Sequence, residues 1–302
     1  MNPVPQISVV MPMYDNPDEV RVTLPAILRQ SLPEGITHEV IAVDDGSGPE
    51  IAALLANFAQ PSLKVVRLQR NMNRSAARNA GIAVARGEWI VLLDSDMIVR
   101  PDFLAAHAEV LEKGAQISLG FFVDTDSLAP ANTRRLPAPG PGPGYFTSAN
   151  VGLERRLLDA VSEEGDGPFD ARTFERYGWE DLDLELRLSR LNPVRRRARK
   201  AVGFHICPPF SLEVLETMTR KEIDRAAMAR RFLAKHPRLA VRMVTQKTPF
   251  HRAAWELLTV FGLLNARSLR PLLGWLVRHD RQRLASVLAR NLILNPTYVR
   301  HL

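Results

Sequence analysis

The chain has one cysteine, Cys207, in 302 residues. An internal disulfide is therefore excluded, and a thiolate metal cluster has no support. No uninterrupted apolar stretch approaches the ~20 residues that a membrane-spanning helix needs. The start lacks a basic segment followed by an apolar one, so the expected location is cytoplasmic and not secreted. A glycine-rich dinucleotide fingerprint is missing, and so is a phosphate-binding P-loop. A Rossmann dehydrogenase and a P-loop kinase are thereby disfavoured. What is present is substantial. The length suits one large core with an appendage. A hydrophobic content of 46% argues against disorder.

Asp94-Ser95-Asp96 follows Trp89-Ile90-Val91-Leu92-Leu93, a short apolar run that reads as a buried strand. Two carboxylates one residue apart at such a strand end are costly to leave unpaired. A divalent cation carrying a phosphate group would pair them, because Mg²⁺ and Mn²⁺ favour oxygen ligands. Taken alone, the triplet reads more readily as a turn.

The residues before it alternate between two patterns. Strands are expected at 7–11, 39–43, 64–68 and 89–93, with helices at 18–30, 51–58 and 75–85. Such alternation predicts a mostly parallel sheet with helices on both faces. Ligands of such sheets bind beyond the carboxyl ends of the strands. There the sequence places Pro12, Tyr14, Asp15 and Asn16, then Asp44-Asp45-Gly46-Ser47, then residues 71–81 with Arg74 and Arg78, then Asp94 and Asp96. Each piece has a plain structural explanation, such as Asp44-Asp45-Gly46-Ser47 capping the next helix. Four at successive strand ends are much harder to explain that way.

With these pieces the chain resembles the family 2 glycosyltransferases of the GT-A fold. The matching segments are Val10-Met11-Pro12-Met13-Tyr14-Asp15-Asn16, Val43-Asp44-Asp45-Gly46-Ser47, Asn73-Arg74-Ser75-Ala76-Ala77-Arg78-Asn79-Ala80-Gly81 and Leu93-Asp94-Ser95-Asp96. The resemblance spans about residues 5–210. It implies a nucleotide-sugar donor, UDP-linked by preference, and Mn²⁺ or Mg²⁺. It also implies a base and ribose pocket lined by Pro12, Tyr14 and Asp45, and Arg74 or Arg78 near the nucleotide. The implied nucleotide set is thus Pro12, Tyr14, Asp44, Asp45, Arg74, Arg78, Asp94 and Ser95. Asp94 and Asp96 would face ribose and metal.

Further along, residues 124–144 are dense in Pro and Gly, which cannot form a helix or a central strand. A mobile loop at the mouth of a site is expected there, with a domain linker as the other reading. Ser148-Ala149-Asn150-Val151-Gly152-Leu153 is a run of mostly small residues before a helix at 154–161. Gly178-Trp179-Glu180-Asp181-Leu182-Asp183-Leu184 then opens a helix expected over 180–191, with Leu182, Leu186 and Leu191 on one side. Its acidic first turn could simply favour the positive helix end. By the resemblance it is the acceptor-activating segment of inverting enzymes. Asp181 would be the general base, with Glu180 second. Trp179 could offer a flat face to a sugar or could be a core residue. His205 lies where related enzymes place a histidine near the metal, which makes the metal set Asp96, Asp94 and His205. Neutral imidazole suits an Mn²⁺-like ion, although a lone histidine among apolar residues is more often structural.

The net charge of +7 hides an asymmetry. Residues 1–193 hold 18 Lys/Arg against 27 Asp/Glu, a balance of −9; residues 194–302 hold 22 against 6, a balance of +16. The expected division is a catalytic domain at 1–210 and a basic helical region at 211–302. That region could meet an anionic membrane surface, placing the chain peripherally at the inner face, or could pack as an appendage. Nucleic acid is not expected as a partner, since no recognised motif accompanies the arginines.

The function expected is inverting, metal-dependent transfer of a sugar to a hydroxyl of a glycan or glycolipid. A sugar nucleotidyltransferase is the rival enzyme, but residues 7–16 lack its Gly- and Arg-rich phosphate loop. A carbohydrate-binding scaffold with a decayed site is the non-enzyme rival. Asp96 and the Glu180-Asp181 pair are intact, which argues against it.

Overall fold

Apolar residues at consecutive positions mark strands covered on both faces. Ile7–Met13 (β1), Pro17–Leu28 (α1), His38–Asp44 (β2), Pro49–Ala56 (α2), Leu63–Arg67 (β3), Arg74–Val84 (α3) and Trp89–Leu93 (β4) come first in order, and β1, β2 and β4 follow that rule while β3 is a half-exposed edge. Then come Met97–Val99 (β5), Phe103–Glu112 (α4), Ile117–Thr125 (β6), Asn150–Glu154 (β7), Arg155–Val161 (α5), Glu180–Ser189 (α6) and Arg195–Ile206 (β8). The computed structural model describes residues 4–129, 131, 146–163 and 166–302. The loop expected within 124–144 falls mostly outside the described residues.

The eight strands form one sheet in the order β3-β2-β1-β4-β7-β6-β8-β5. The four expected strands pair in parallel. β7 runs antiparallel to β4 and β6, and β5 antiparallel to β8, so the sheet is mixed. Side chains of β1 alternate between two cores. Ile7, Val9 and Met11 pack with Val20, Leu24 and Phe103; Val10 packs with Ala77, Ile82 and Leu184. Burying one such side chain fully is worth ~1.5–3 kcal/mol. Gly81 lets α3 lie against β1 and β2, because a Cβ there would sit 2.5 Å from Val10 Cγ1.

The expected face of α6 needs correction. The buried face of α6 is Glu180, Asp183, Leu184, Arg187 and Leu188, while Leu191 lies exposed beyond the helix. Arg187 Nε donates to Asp183 at 2.9 Å and its Nη atoms donate to the carbonyls of Val161 and Pro168. A satisfied ion pair at 183 and 187 thus shares the buried face with Leu184 and Leu188, one step round from the expected side. β8 is a long strand that begins at Arg195 and carries His205 near its end. It runs parallel to β6, with a register shift between Leu119 and Phe121.

Asn150 fixes the centre of this half of the sheet. Its Nδ2 donates to the carbonyls of Phe121 and Ala201, so its Oδ1 must accept from His107 Nε2 at 3.0 Å. Burial lowers the imidazole pKa to about 4. In the neutral ring, Nδ1 then accepts from Ser118 Oγ at 2.8 Å.

Residues to Glu175 with Glu180–Cys207 make one unit; Arg176–Trp179 with Pro208–Leu302 make another. The second is helical: Leu212–Lys235 (α7), Leu239–Val244 (α8), Pro249–Leu258 (α9), Ala266–Arg278 (α10), Gln282–Ala289 (α11), a π-turn at Arg290–Leu294 and Asn295–His301 (α12). α9 stops at Leu258. Val260, Phe261 and Gly262 turn the chain with φ of 51°, 54° and 86°. One core contains Leu215, Leu273, Leu276 and Ile293. In another, Trp179 stacks on Phe232 at 5.4 Å and donates its Nε1 to the Arg225 carbonyl, so the indole is a packing residue.

Candidate active site

Arg78 is the centre of the arrangement. It projects from α3, whose start is set by the Asn73 side chain accepting from Ala76 N. Only 2% of its surface is exposed, yet three carboxylates surround it. Nη2 donates to Asp94 Oδ1 at 2.7 Å; Nη1 lies 3.6 Å from Glu180 Oε1 and 3.8 Å from Asp181 Oδ1. Burial works against the guanidinium charge, but Asp94, Asp181 and Glu180 outweigh it and raise its pKa. Burial also acts to raise Asp94, where Arg78 and Arg74 prevail and hold the carboxyl low. For Glu180, burial and the Asp181 charge prevail over Arg74 and Arg78, and the pKa rises. Arg74, with 41% of its side chain exposed, reaches Glu180 Oε1 at 3.8 Å.

Glu180 and Asp181 begin α6, directly after Gly178 and Trp179, which take φ of 103° and 75°. Glu180 turns inward with 5% of its side chain exposed, whereas Asp181 keeps 29%. Asp181 is held by Ser148: the backbone N–H donates to Oδ2 at 3.0 Å and the hydroxyl to Oδ1 at 2.5 Å. Thr147 Oγ1 lies at 3.4 Å from Oδ2. The small-residue run thus meets the acidic motif.

Asp96 and His205 form a second group. His205 Nε2 is 3.2 Å from Asp96 Oδ2, and the Ile206 N–H donates to the Asp96 carbonyl. On the other ring nitrogen, Asp124 Oδ1 and Cys207 Sγ each lie at 3.0 Å. Hydrogen bonds to Asp96 and Cys207, with the Asp96 charge, push His205 up to about 11 despite burial. Asp96 Oδ1 is buried and accepts no hydrogen bond from the described residues. A carboxylate oxygen lacking a donor, beside an imidazole nitrogen, is a fitting set for Mn²⁺ or Mg²⁺. A cation at Nε2 would displace the proton there.

The nucleotide set is spread over neighbouring strand ends. Asp44 Oδ1 accepts from Ser47 N, and Arg67 ties the same loop through Asp44 Oδ2 and the Ser47 carbonyl. Asp45 Oδ1 accepts from Met72 N at 2.7 Å, linking two loops. Burial raises Asp45 to about 6 against that bond. Gly46 must be glycine: its φ is 77° and a Cβ would meet the Arg70 backbone at 2.4 Å. Tyr14 is exposed and Pro12 half-buried. Ser95 is turned into the fold, where its hydroxyl accepts from Asn16 Nδ2 at 2.9 Å.

Sequence reasoning missed Asp124, Cys207, Thr147, Ser148 and Arg67 as neighbours of these groups. Asp124 pairs with His205 only because β8 carries three extra residues at the register shift. Counting from Ile117 opposite Arg195 would have set Asp124 opposite Val202. No local pattern reveals such an insertion.

Comparison with known proteins bears on the family and the fold. The family model "Glycosyl transferase family 2" matches residues 8–162. "Succinoglycan biosynthesis protein ExoO" of Rhizobium meliloti is 41% identical over 125 residues, 39% of this chain and 35% of that protein. The chain therefore matches only about a third of that relative's length. Among solved structures, the mannosyltransferase PcManGT from Pyrobaculum calidifontis, in complex with GDP-Man and Mn²⁺, covers 99% of this chain and 88% of its own, with TM-score 0.62 and 16% identity. S. aureus TarS 1-349 in complex with UDP covers 94% and 90%, with TM-score 0.53 and 17% identity. These likenesses show a shared fold, the GT-A arrangement that the strand-end motifs implied.

Proposed function

The chain belongs to glycosyl transferase family 2, and we propose that it moves a sugar from a nucleotide-diphosphate sugar to a hydroxyl of a glycan or glycolipid, inverting the anomeric carbon. The observation that carries this reading is the division of labour between adjacent carboxylates. Glu180 is buried against Arg78, whereas Asp181 is partly exposed and oriented by two donors from Ser148.

In this mechanism Pro12, Tyr14 and Asp45 receive the base and ribose, UDP being the preferred donor nucleotide. Arg74 has the reach to meet the phosphates. Asp96 and His205, with Asp94 alongside, would hold Mn²⁺ or Mg²⁺. When bound, the cation supplies Lewis-acid neutralisation of the diphosphate charge. Asp181 takes the proton from the acceptor hydroxyl as that oxygen attacks the anomeric carbon. The bond to the donor phosphate breaks on the opposite side, and its electron pair leaves with the diphosphate. One displacement inverts the centre. Arg78 touches neither substrate; it holds Asp94, Glu180 and Asp181 in place.

The name of the R. meliloti relative favours a role in polysaccharide assembly. In this reading the first unit is catalytic. The basic helical region brings the chain to the cytoplasmic face of a membrane, where a glycolipid acceptor is found. Among the described residues no helix is long and apolar enough to cross a membrane.

Calorimetry of UDP and GDP, with and without Mn²⁺, tests the donor site. Asp96→Ala should keep the fold and lose Mn²⁺-dependent nucleotide binding by about tenfold to a hundredfold. Equal affinity in variant and parent would remove Asp96 from the metal site. A parent that binds neither nucleotide, with or without Mn²⁺, would end the donor reading.

A further inference from the structure

α9 touches α12 along one side, yet none of its residues is buried. Phe250, Ala253, Ala254, Leu257, Leu258 and Phe261 recur at the spacing of a single helical face. All six are exposed, Phe250 by 73%, Leu257 by 70% and Phe261 by 77%. In a soluble helix such a stripe faces the core; here it faces out. The turn after the helix carries it on. Val260 and Phe261 take left-handed φ values, which are a genuine outlier for a β-branched residue. This strained turn, capped by Gly262, leaves Phe261 and Leu263 at the surface. Strain held at such a place points to use.

Charge decides what the stripe meets. Residues 238–270 hold six Lys/Arg and one Asp/Glu. Arg238, Arg242, Arg252 and Arg267 are exposed. A second copy would set this cationic surface against itself, which is unfavourable. An anionic lipid surface satisfies both halves: acyl chains take the apolar stripe and headgroups take the arginines. We propose that α9 and the turn at 259–263 form a wedge that lies in the interface of an anionic membrane, with the surrounding arginines on its headgroups. This rests on the membrane-side part of the proposed function and deepens it, assigning the anchor within the basic helical region to α9.

The test is sedimentation of the full chain with phosphatidylcholine vesicles, plain or with about a third phosphatidylglycerol, at low and high salt. The parent should bind the anionic vesicles and bind the plain ones weakly. Leu257→Ser with Phe261→Ser should lower the bound-to-free ratio about tenfold or more, since both side chains lose their apolar burial. Arg238→Gln, Arg242→Gln and Arg252→Gln together should instead abolish the preference for anionic vesicles and the salt sensitivity. All five positions are exposed, and nucleotide binding in solution should be unchanged in both variants. Failure of the parent itself to bind nucleotide would sink the glycosyl-transfer reading and leave this one standing. Three outcomes would overturn the wedge: a parent that ignores anionic vesicles at low salt, variants that bind as the parent does, or a parent dimer that the double serine variant makes monomeric without any vesicle binding.

Discussion

In the first unit, charge is buried. Arg78, Glu180, Asp183 and Arg187 lie inside, each facing an opposite charge. In the second unit, large apolar side chains lie outside: Phe250, Leu257, Phe261 and Leu263 on a basic background. Neither arrangement favours stability of the isolated fold. A buried ion pair is often no better than well-packed apolar residues. An exposed apolar patch invites association. The two regions thus differ in what they are prepared for. Buried cations fix the carboxylates of the first unit in place, and the second unit displays apolar side chains beside arginines.

That comparison is most directly challenged at Asp181. Asp181→Asn keeps the size and the Ser148 contact but cannot take a proton. Transfer to an acceptor should fall ~10²–10⁴-fold, while nucleotide binding by calorimetry stays near the parent's. If Asp181→Asn transfers normally and Glu180→Gln does not, the base is the buried residue, and exposure was the wrong criterion.

Arg78→Met asks whether the buried cluster depends on its cation. Removing one partner leaves Asp94, Glu180 and Asp181 facing one another, and breaking a buried pair typically costs about 3–5 kcal/mol. Urea unfolding at neutral pH should show that loss. It should shrink at acid pH, where the carboxyls take up protons. A variant as stable as the parent would mean that solvent reaches the cluster.

How much of this was legible depended on how local the determinant was. β1 to β4 and their polar ends could be read because each strand and the motif after it are contiguous. The site residues Arg78, Asp94, Glu180 and Asp181 came from such motifs. Their mutual contacts did not, because they rest on β7 pairing with β4 and bringing Ser148 to the site. The face of α6 was misjudged because the Asp183–Arg187 pair is buried with Leu184 and Leu188, whereas the spacing was counted through Leu182, Leu186 and Leu191. β5 and β7 went unread because three to five residues between turns carry little pattern. In the tail, α9 has ordinary amphipathic spacing, and spacing alone does not say whether a stripe faces a core or a membrane.

A smaller effect sharpens the view of the first unit's buried polar groups as fixed in protonation state. His107 is held near a pKa of about 4, against 6.5 when exposed. Between those values the unfolded chain binds a proton that the folded chain does not. Stability therefore rises with pH across that window and is lost as pH falls through it, by ~3 kcal/mol in all. His107→Gln should flatten this part of the stability–pH curve. Parallel curves for variant and parent would show that the imidazole charges freely within the fold.

The smallest expected effect tests the second unit's turn. A left-handed conformation costs an L-residue about 1–2 kcal/mol, and glycine avoids that cost. Glycine also loses more chain entropy on folding, by roughly 0.5–1 kcal/mol. At φ of 51° the first contribution outweighs the second. Val260→Gly should therefore raise stability by up to about 1 kcal/mol, a rise of a few degrees or less in Tm. It should leave nucleotide binding unchanged and weaken vesicle binding, because the turn would no longer hold Phe261 and Leu263 in one orientation. A destabilised Val260→Gly would show that the valine side chain has packing partners. The turn would then be ordinary structure, and the contrast between a unit that stores charge and a unit that displays hydrophobes would lose its backbone evidence.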